Sequence, residues 1–265
     1  MKIYQVDAFT DQAFRGNPAC VCIMDENRTD SWMQSFSAEM NLSETAFLVK
    51  QQNGYSLRWF TPKKEVQLCG HATLATAHIL WSESYLRPDE EARFDTKSGL
   101  LTARLSEGWI ELDFPARYIE PTEPNPALNQ ALGLKPICTS KKEVPQGDYY
   151  LLEAESEEAV RKLSPDFIAL SKLGIRAALV TSRAQTPECD FVSRYFAPGI
   201  GVNEDPVTGS AHCYLAPYWG KKLNKTKLVG KQVSARSGMV GCEWQGERVV
   251  LKGQAITIFR GDLLI

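Results

Sequence analysis

The chain has 265 residues, 43% of them hydrophobic and 23% charged, with a formal net charge of −2. This size and composition suit an ordinary globular protein with one large or two medium cores. No apolar run approaches the roughly 20 residues of a membrane span and basic residues are scattered, which argues against membrane and nucleic-acid partners.

The start, MKIYQVDAF, alternates apolar and polar residues and does not read as a secretory signal, so the cytoplasm is the expected compartment. Period-2 and short apolar runs predict strands at 2–9, 19–24, 44–49, 55–60 and 109–114, with Cys20 and Cys22 in the core. Helices are predicted at 31–40, with Asp30 as N-cap, and at 71–82, a segment with almost no charge. The prolines of EPTEPNPA mark a connection at about 120–127. Beyond it come helices at 155–163 and 165–172, then strands near 176–182, 190–196, 231–236, 239–244, 247–252 and 254–259. Seven cysteines, odd in number and without a C-x-x-C pair, point to reduced thiols.

The chain repeats itself. Arg58, Phe60 and Pro62 of RWFTPKKEVQLCGHATLA match Arg194, Phe196 and Pro198 of RYFAPGIGVNEDPVTGSAHCYLA at an offset of 136. After three extra loop residues Gly70 matches Gly209 at 139, and that offset persists through Ser98-Gly99 and Ser237-Gly238 to Leu112 and Leu251. Each half therefore reads as strand, loop, buried helix and β-hairpin, a duplication. A helix apolar on nearly every side must be covered on nearly every side. The expected fold is α+β: two pseudo-symmetric domains, 1–119 and 120–265, each a curved, mostly antiparallel sheet around a central helix, with the final strand a candidate to cross back to the first half. Under such symmetry the two helix starts face one cleft.

Those starts, Gly70-His71-Ala72 and Gly209-Ser210-Ala211, offer free N–H groups and the positive end of a helix dipole, which favour a carboxylate. Alternatively the glycines merely permit tight turns and Ser210 is an N-cap. His71 can present a titratable imidazole or simply pack. His78, seven residues on, lies about 10 Å along the helix, too far to share an ion, so no metal site is predicted, and His78 and His212 read as core residues. Asp205, before Pro206, is either turn chemistry or a carboxylate that orients His71 or a substrate group. Glu44 opens the strand 44–49 in register with Ala46 and Leu48. Aligning AFLV with AALV at 177–180 sets Ile175 opposite it, so the acid belongs to one half only. A buried carboxyl tends to a raised pKa, suited to acid/base work.

At VDAFTDQAFRGNPA, NLSETAF, CGHATLATAH and DPVTGSAH the sequence resembles the phenazine-biosynthesis PhzF-like family, related in fold to diaminopimelate epimerase and proline racemase. The resemblance covers essentially the whole chain. It implies two similar halves, an active site between them, and catalytic roles for Glu44, His71, Asp205 and Ser210. The related epimerases use a cysteine at each helix start. Cys69 matches the first, but Thr208 stands at the second, and its hydroxyl is too weak an acid for a two-cysteine mechanism.

The expectation is a cofactor-independent isomerase that moves a proton beside the carboxylate of a small, cyclic or hydroxylated acid. Glu44 is the acid/base, and the amides of residues 70–72 and 209–211 hold the carboxylate. Neither a G-x-G-x-x-G after a strand nor a G-x-x-x-x-G-K-[ST] occurs, so no nucleotide is expected, nor another cofactor. Alternatives are a lyase resembling hydroxyproline dehydratases, a one-cysteine racemase using Cys69, and a non-catalytic metabolite-binding protein. A homodimer is a candidate assembly.

Overall fold

The structure is a computed structural model that describes residues 1–145 and 147–264. The chain divides into two units, Met1–Phe114 with Val250–Ile265, and Pro115–Val249. In chain order the first half forms β1 (Lys2–Ala8), β2 (Asn17–Met24), α1 (Asp30–Met40), β3 (Glu44–Gln51), β4 (Gly54–Phe60), β5 (Glu65–Val66), α2 (Gly70–Ser82), β6 (Ala92–Thr96), β7 (Gly99–Ser106) and β8 (Trp109–Pro115). The second forms β9 (Glu120–Pro121), α3 (Pro126–Leu132), β10 (Cys138–Lys142), β11 (Tyr149–Glu153), α4 (Glu157–Arg161), α5 (Phe167–Ser171), β12 (Ala177–Arg183), β13 (Phe191–Ala197), β14 (Val202–Asp205) and α6 (Gly209–Leu223). The chain ends with β15 (Lys227–Gln232), β16 (Gly238–Gln245), β17 (Arg248–Gly253) and β18 (Ala255–Asp262).

In the first unit the strands pair in the order β18, β1, β2, β3, β4, β6, β7, β8, antiparallel except for β2 with β3 and β4 with β6. In the second the order is β9, β10, β11, β12, β13, β15, β16, antiparallel except for β11 with β12 and β13 with β15. The two orders are the same pattern. It also assigns β18 in the first unit the place of β9 in the second, each the outer neighbour of an equivalent strand. The fold is thus α+β, with a mostly antiparallel sheet and few helices.

Helix α2 is buried from His71 to Ala77 and again from Ile79 to Trp81, packed against β1, β2, β3 and β18. Its lack of an outer face is what the near-absence of charge dictates. The opposite face of the same strands is covered by α1, where Met33 and Phe36 join Cys20, Cys22, Phe47 and Phe60 in a separate cluster. Because successive strand residues point to opposite faces, Phe47 toward α1 places Glu44, Ala46 and Leu48 on the α2 side.

In the second unit α6 contacts β15 and β16, and Trp219 Nε1 donates to Thr181 Oγ1 at 2.9 Å. Pro217 lies inside α6 and has no N–H for the carbonyl four residues earlier. That carbonyl, on Cys213, accepts instead from the Arg117 backbone at 2.9 Å.

Several expectations need correction. Thr29, not Asp30, caps α1: its hydroxyl accepts from the Trp32 amide at 3.2 Å, while Asp30 pairs with Arg58 at 2.8 Å. The strand expected at 231–236 is β15, four residues earlier at its start, and 233–237 is a loop. The connection at 120–127 holds β9 and the start of α3, whose Asn125 side chain caps it. Helices 155–163 and 165–172 shrink to α4 and α5. Finally, Thr45 lies opposite Phe60 and Ala178 opposite Phe196, so the equivalent of Glu44 is Ala177 and not Ile175. The acid still belongs to one half only.

Candidate active site

In the first unit, β3 and the start of α2 bring Glu44 and His71 together. Glu44 Oε2 lies 3.2 Å from His71 Nε2, with 18% of the glutamate side chain and 6% of the histidine side chain exposed. The oxygen is off the line of the N–H bond, so this is a close approach and not an aligned hydrogen bond. On the ring's other edge Nδ1 is 3.2 Å from Asn17 Nδ2 and 3.6 Å from Cys69 Sγ. The amide NH₂ of Asn17 donates, which leaves Nδ1 bare and puts the ring proton on Nε2, the edge that Glu44 approaches. Burial pushes the His71 pKa down to about 3, so the imidazole is neutral at physiological pH.

Asn17 is completely buried and was not singled out by sequence reasoning, though it lies in the first motif. Gly16 before it has φ +65°, and a Cβ there would sit 2.2 Å from the Ala8 carbonyl oxygen. Only glycine allows the chain to double back here and set the amide on His71.

The helix starts are built alike. Cys69 and Thr208 are the equivalent N-caps, both extended, with φ/ψ of −142°/113° and −111°/99°. Among the described residues the amides of Gly70, His71 and Ala72 have no backbone partner outside the helix pattern, nor do those of Gly209 and Ser210. The Ala211 amide donates to the Thr208 carbonyl at 3.2 Å, so in that half Gly209 and Ser210 are the better-placed donors. Ser210 is exposed, whereas Gly209 is buried.

In the second unit Asp205 accepts from Thr208 Oγ1 at 2.5 Å, and Gln232, fully buried, bonds both residues. Gln232 is a second residue that sequence reasoning missed. His212 has Nδ1 2.8 Å from the Thr208 carbonyl, which can only accept, and burial pushes its pKa down to about 4. His78 Nε2 is 3.0 Å from Thr257 Oγ1.

These two buried imidazoles give a pH prediction. In the unfolded chain they take up protons near 6.5, but in the folded chain only near 3 for His71 and near 4 for His212. Between those limits the unfolded state holds more protons, so stability is full above about 6.5 and falls as pH drops. Each histidine contributes at most about 1.4 kcal/mol per pH unit. Urea midpoints at pH 7 and pH 5 should show the loss, and His212→Asn should show a smaller one. Equal midpoints at the two pH values would contradict it.

The donor atoms of Glu44, Cys69 and His71 lie within 4.8 Å of one another, which raises the question of a metal ion. Zinc wants its donors converging at about 2.0–2.3 Å. Here they straddle the ring: Glu44 approaches Nε2 while Cys69 approaches Nδ1, and the two nitrogens face different ways. The set does not fit one ion. EDTA treatment should leave the rate unchanged, and stoichiometric zinc removed together with activity would show otherwise.

The sequence profile of the phenazine biosynthesis-like protein family matches residues 6–261. The chain belongs to that family. It is 50% identical over 266 residues to an uncharacterized isomerase of Halalkalibacterium halodurans, covering 99% of this chain and 98% of the relative. A crystal structure of a PhzF family protein from Enterococcus faecalis superimposes with a TM-score of 0.92 at 42% identity, covering 100% of this chain and 99% of that one. A hydroxyproline epimerase from Agrobacterium vitis, solved with bound trans-4-hydroxy-L-proline, shares the fold at a TM-score of 0.63 and 10% identity, over 99% of this chain and 90% of that one. Family, relatives and fold together support an isomerase-like enzyme. Among the described residues no helix is long and apolar enough to cross a membrane.

Proposed function

We propose that the protein is a cofactor-independent isomerase acting on a small carboxylic acid, with Glu44 removing a proton near the carboxylate and redelivering it at another carbon. The observation that carries this reading is the Glu44 carboxylate 3.2 Å from an imidazole that burial keeps neutral. A neutral imidazole beside the carboxylate does not compete with it for the proton, and its Nε2–H can turn to a developing oxyanion. The amides of Gly70, His71 and Ala72 are the proposed anion donors of this half, and in the second unit those at the start of α6, Gly209 and Ser210 ahead of Ala211, are the corresponding candidates. In that unit Asp205 and Ser210 are the proposed residues that orient polar groups of a substrate.

A second reading has one observation in its favour, the Cys69 sulfur 3.6 Å from His71 Nδ1. In it Cys69 is the base of a racemase or of a lyase that expels a β-hydroxyl. A reactive thiolate, however, gains from a protonated histidine beside it, and His71 stays neutral down to about pH 3. Cys69→Ala should therefore keep most of the activity.

The test begins with a thermal-shift screen of small carboxylic acids, since a ligand at 100 times its dissociation constant adds about 2.7 kcal/mol. Acids that bind are then assayed for rearrangement by NMR. Binding without turnover or solvent-proton exchange would leave a metabolite-binding protein instead.

A further inference from the structure

Threonine is among the preferred helix N-caps because its hydroxyl can accept from the helix's own amides. Thr208 occupies that position on α6, yet among the described residues its side chain makes no such bond. The hydroxyl is committed elsewhere, and the buried amide of Gln232 shows how.

Gln232 ends β15 opposite Ser193 of β13 and Gly238 of β16, and its side chain is fully buried. Its orientation follows from its partners. Oε1 lies 2.9 Å from the Thr208 backbone N–H, which can only donate, and Nε2 lies 2.6 Å from the Asp205 backbone carbonyl, which can only accept. The second Nε2 hydrogen points at Thr208 Oγ1, 3.2 Å away. The hydroxyl thus receives one hydrogen bond, and its own proton goes to Asp205 Oδ2 at 2.5 Å. The surrounding loop fixes the same geometry: Ser234 donates to the Pro206 carbonyl at 2.7 Å and Ser237 to the Gln232 carbonyl at 3.0 Å.

We propose that Gln232 and Thr208 are positioning residues that form a one-way hydrogen-bond chain ending on Asp205, holding its carboxylate as an acceptor aimed by the loop 205–208. The chain is confined to one half: Cys69 stands for Thr208 at the offset of 139, and Thr96, which pairs with Gly99 as Gln232 pairs with Gly238, stands for Gln232. Its use in turnover rests on the proposed role of Asp205 toward substrate, but the chain itself can be tested without a substrate. Tyr195, opposite Asp205 across β13 and β14, also faces the carboxylate, and burial, the neighbouring Tyr149 and the Asp205 charge raise its pKa, so it stays a neutral phenol.

The experiment is a ¹³C NMR titration of the Asp205 side-chain carboxyl in the full-length protein, with the resonance assigned by Asp205→Asn. Removing a donor from a carboxylate raises its midpoint. Thr208→Val, which keeps the shape, should raise it by about one pH unit, and Thr208→Ser should restore the wild-type value. Gln232→Leu should shift it in the same direction and add little to Thr208→Val in the double variant. Tyr195→Phe serves as the control for the facing phenol and should leave the Thr208→Val shift in place. Should Gln232→Leu fail to fold, the valine and serine pair decides alone. An unmoved midpoint in Thr208→Val would overturn the chain, and a lowered one would mean that Asp205 donates to Thr208. Neither outcome depends on whether Glu44 catalyses isomerisation, which the turnover assay decides.

Discussion

Glu44→Gln is expected to cut turnover by roughly 10²–10⁴-fold while leaving the fold and the binding of small carboxylic acids close to wild type. The amide keeps the size and shape of the carboxyl, and β3 is held by pairing with β2 and β4 along its length. The removed property is the ability to take and return a proton. Near neutrality His71 cannot substitute, since it enters its charged form only near pH 3. Steady-state rates, with melting temperature and ligand affinity as controls, check the prediction. A glutamine variant that turns over normally, beside a Cys69→Ala variant that does not, would move the base to the thiol.

The duplication was legible in the sequence because it leaves a constant offset, and the structure bears it out closely. β7 spans Gly99–Ser106 and β16 spans Gly238–Gln245, each boundary displaced by 139, and α2 and α6 begin at Gly70 and Gly209. Long elements with a buried face carry enough periodicity to be read. The two-residue strands β5 and β9 carry almost none, and β10, CTSKK, is half polar. These pieces are defined by pairing with distant strands, a tertiary fact that local composition does not encode.

The misplaced strand at 231–236 is more instructive. QVSAR alternates polar and apolar residues as a strand does, but after Gln232 the chain turns so that Ser234 and Ser237 can clasp the loop bearing Asp205. Glu44 was found because it stands where the other half has an apolar residue. Gln232 was hidden because the loop before β16 is longer than the one before β7: the ladders set Gln232 against Thr96, whereas the offset of 139 sets it against Arg93. Asn17 gave no such signal. Its contact with His71 joins residues 54 apart, and only the backward turn at Gly16 brings it there.

Deuterium wash-in should give an all-or-none result. Incubating the wild-type protein in heavy water with an acid that it binds and isomerises is expected to place deuterium on the carbon that loses or gains the proton, because a carboxyl that has taken a substrate proton can exchange it with solvent before returning it. Glu44 retains 18% side-chain exposure, which gives water a route to it. In Glu44→Gln no label should enter. In Cys69→Ala it should enter at close to the wild-type rate, since the thiol lies on the other edge of the His71 ring, 3.6 Å from Nδ1, and Glu44 lies at Nε2. The label should also be delivered to one face of the substrate. A single carboxyl fixed at the start of β3 approaches from one side, whereas two bases on opposite faces would yield both configurations at the exchanged carbon. NMR or mass spectrometry of recovered acid reads the position and the stereochemistry. Label that still enters with Glu44→Gln and is lost with Cys69→Ala, or that appears in both configurations, would refute the one-carboxyl mechanism.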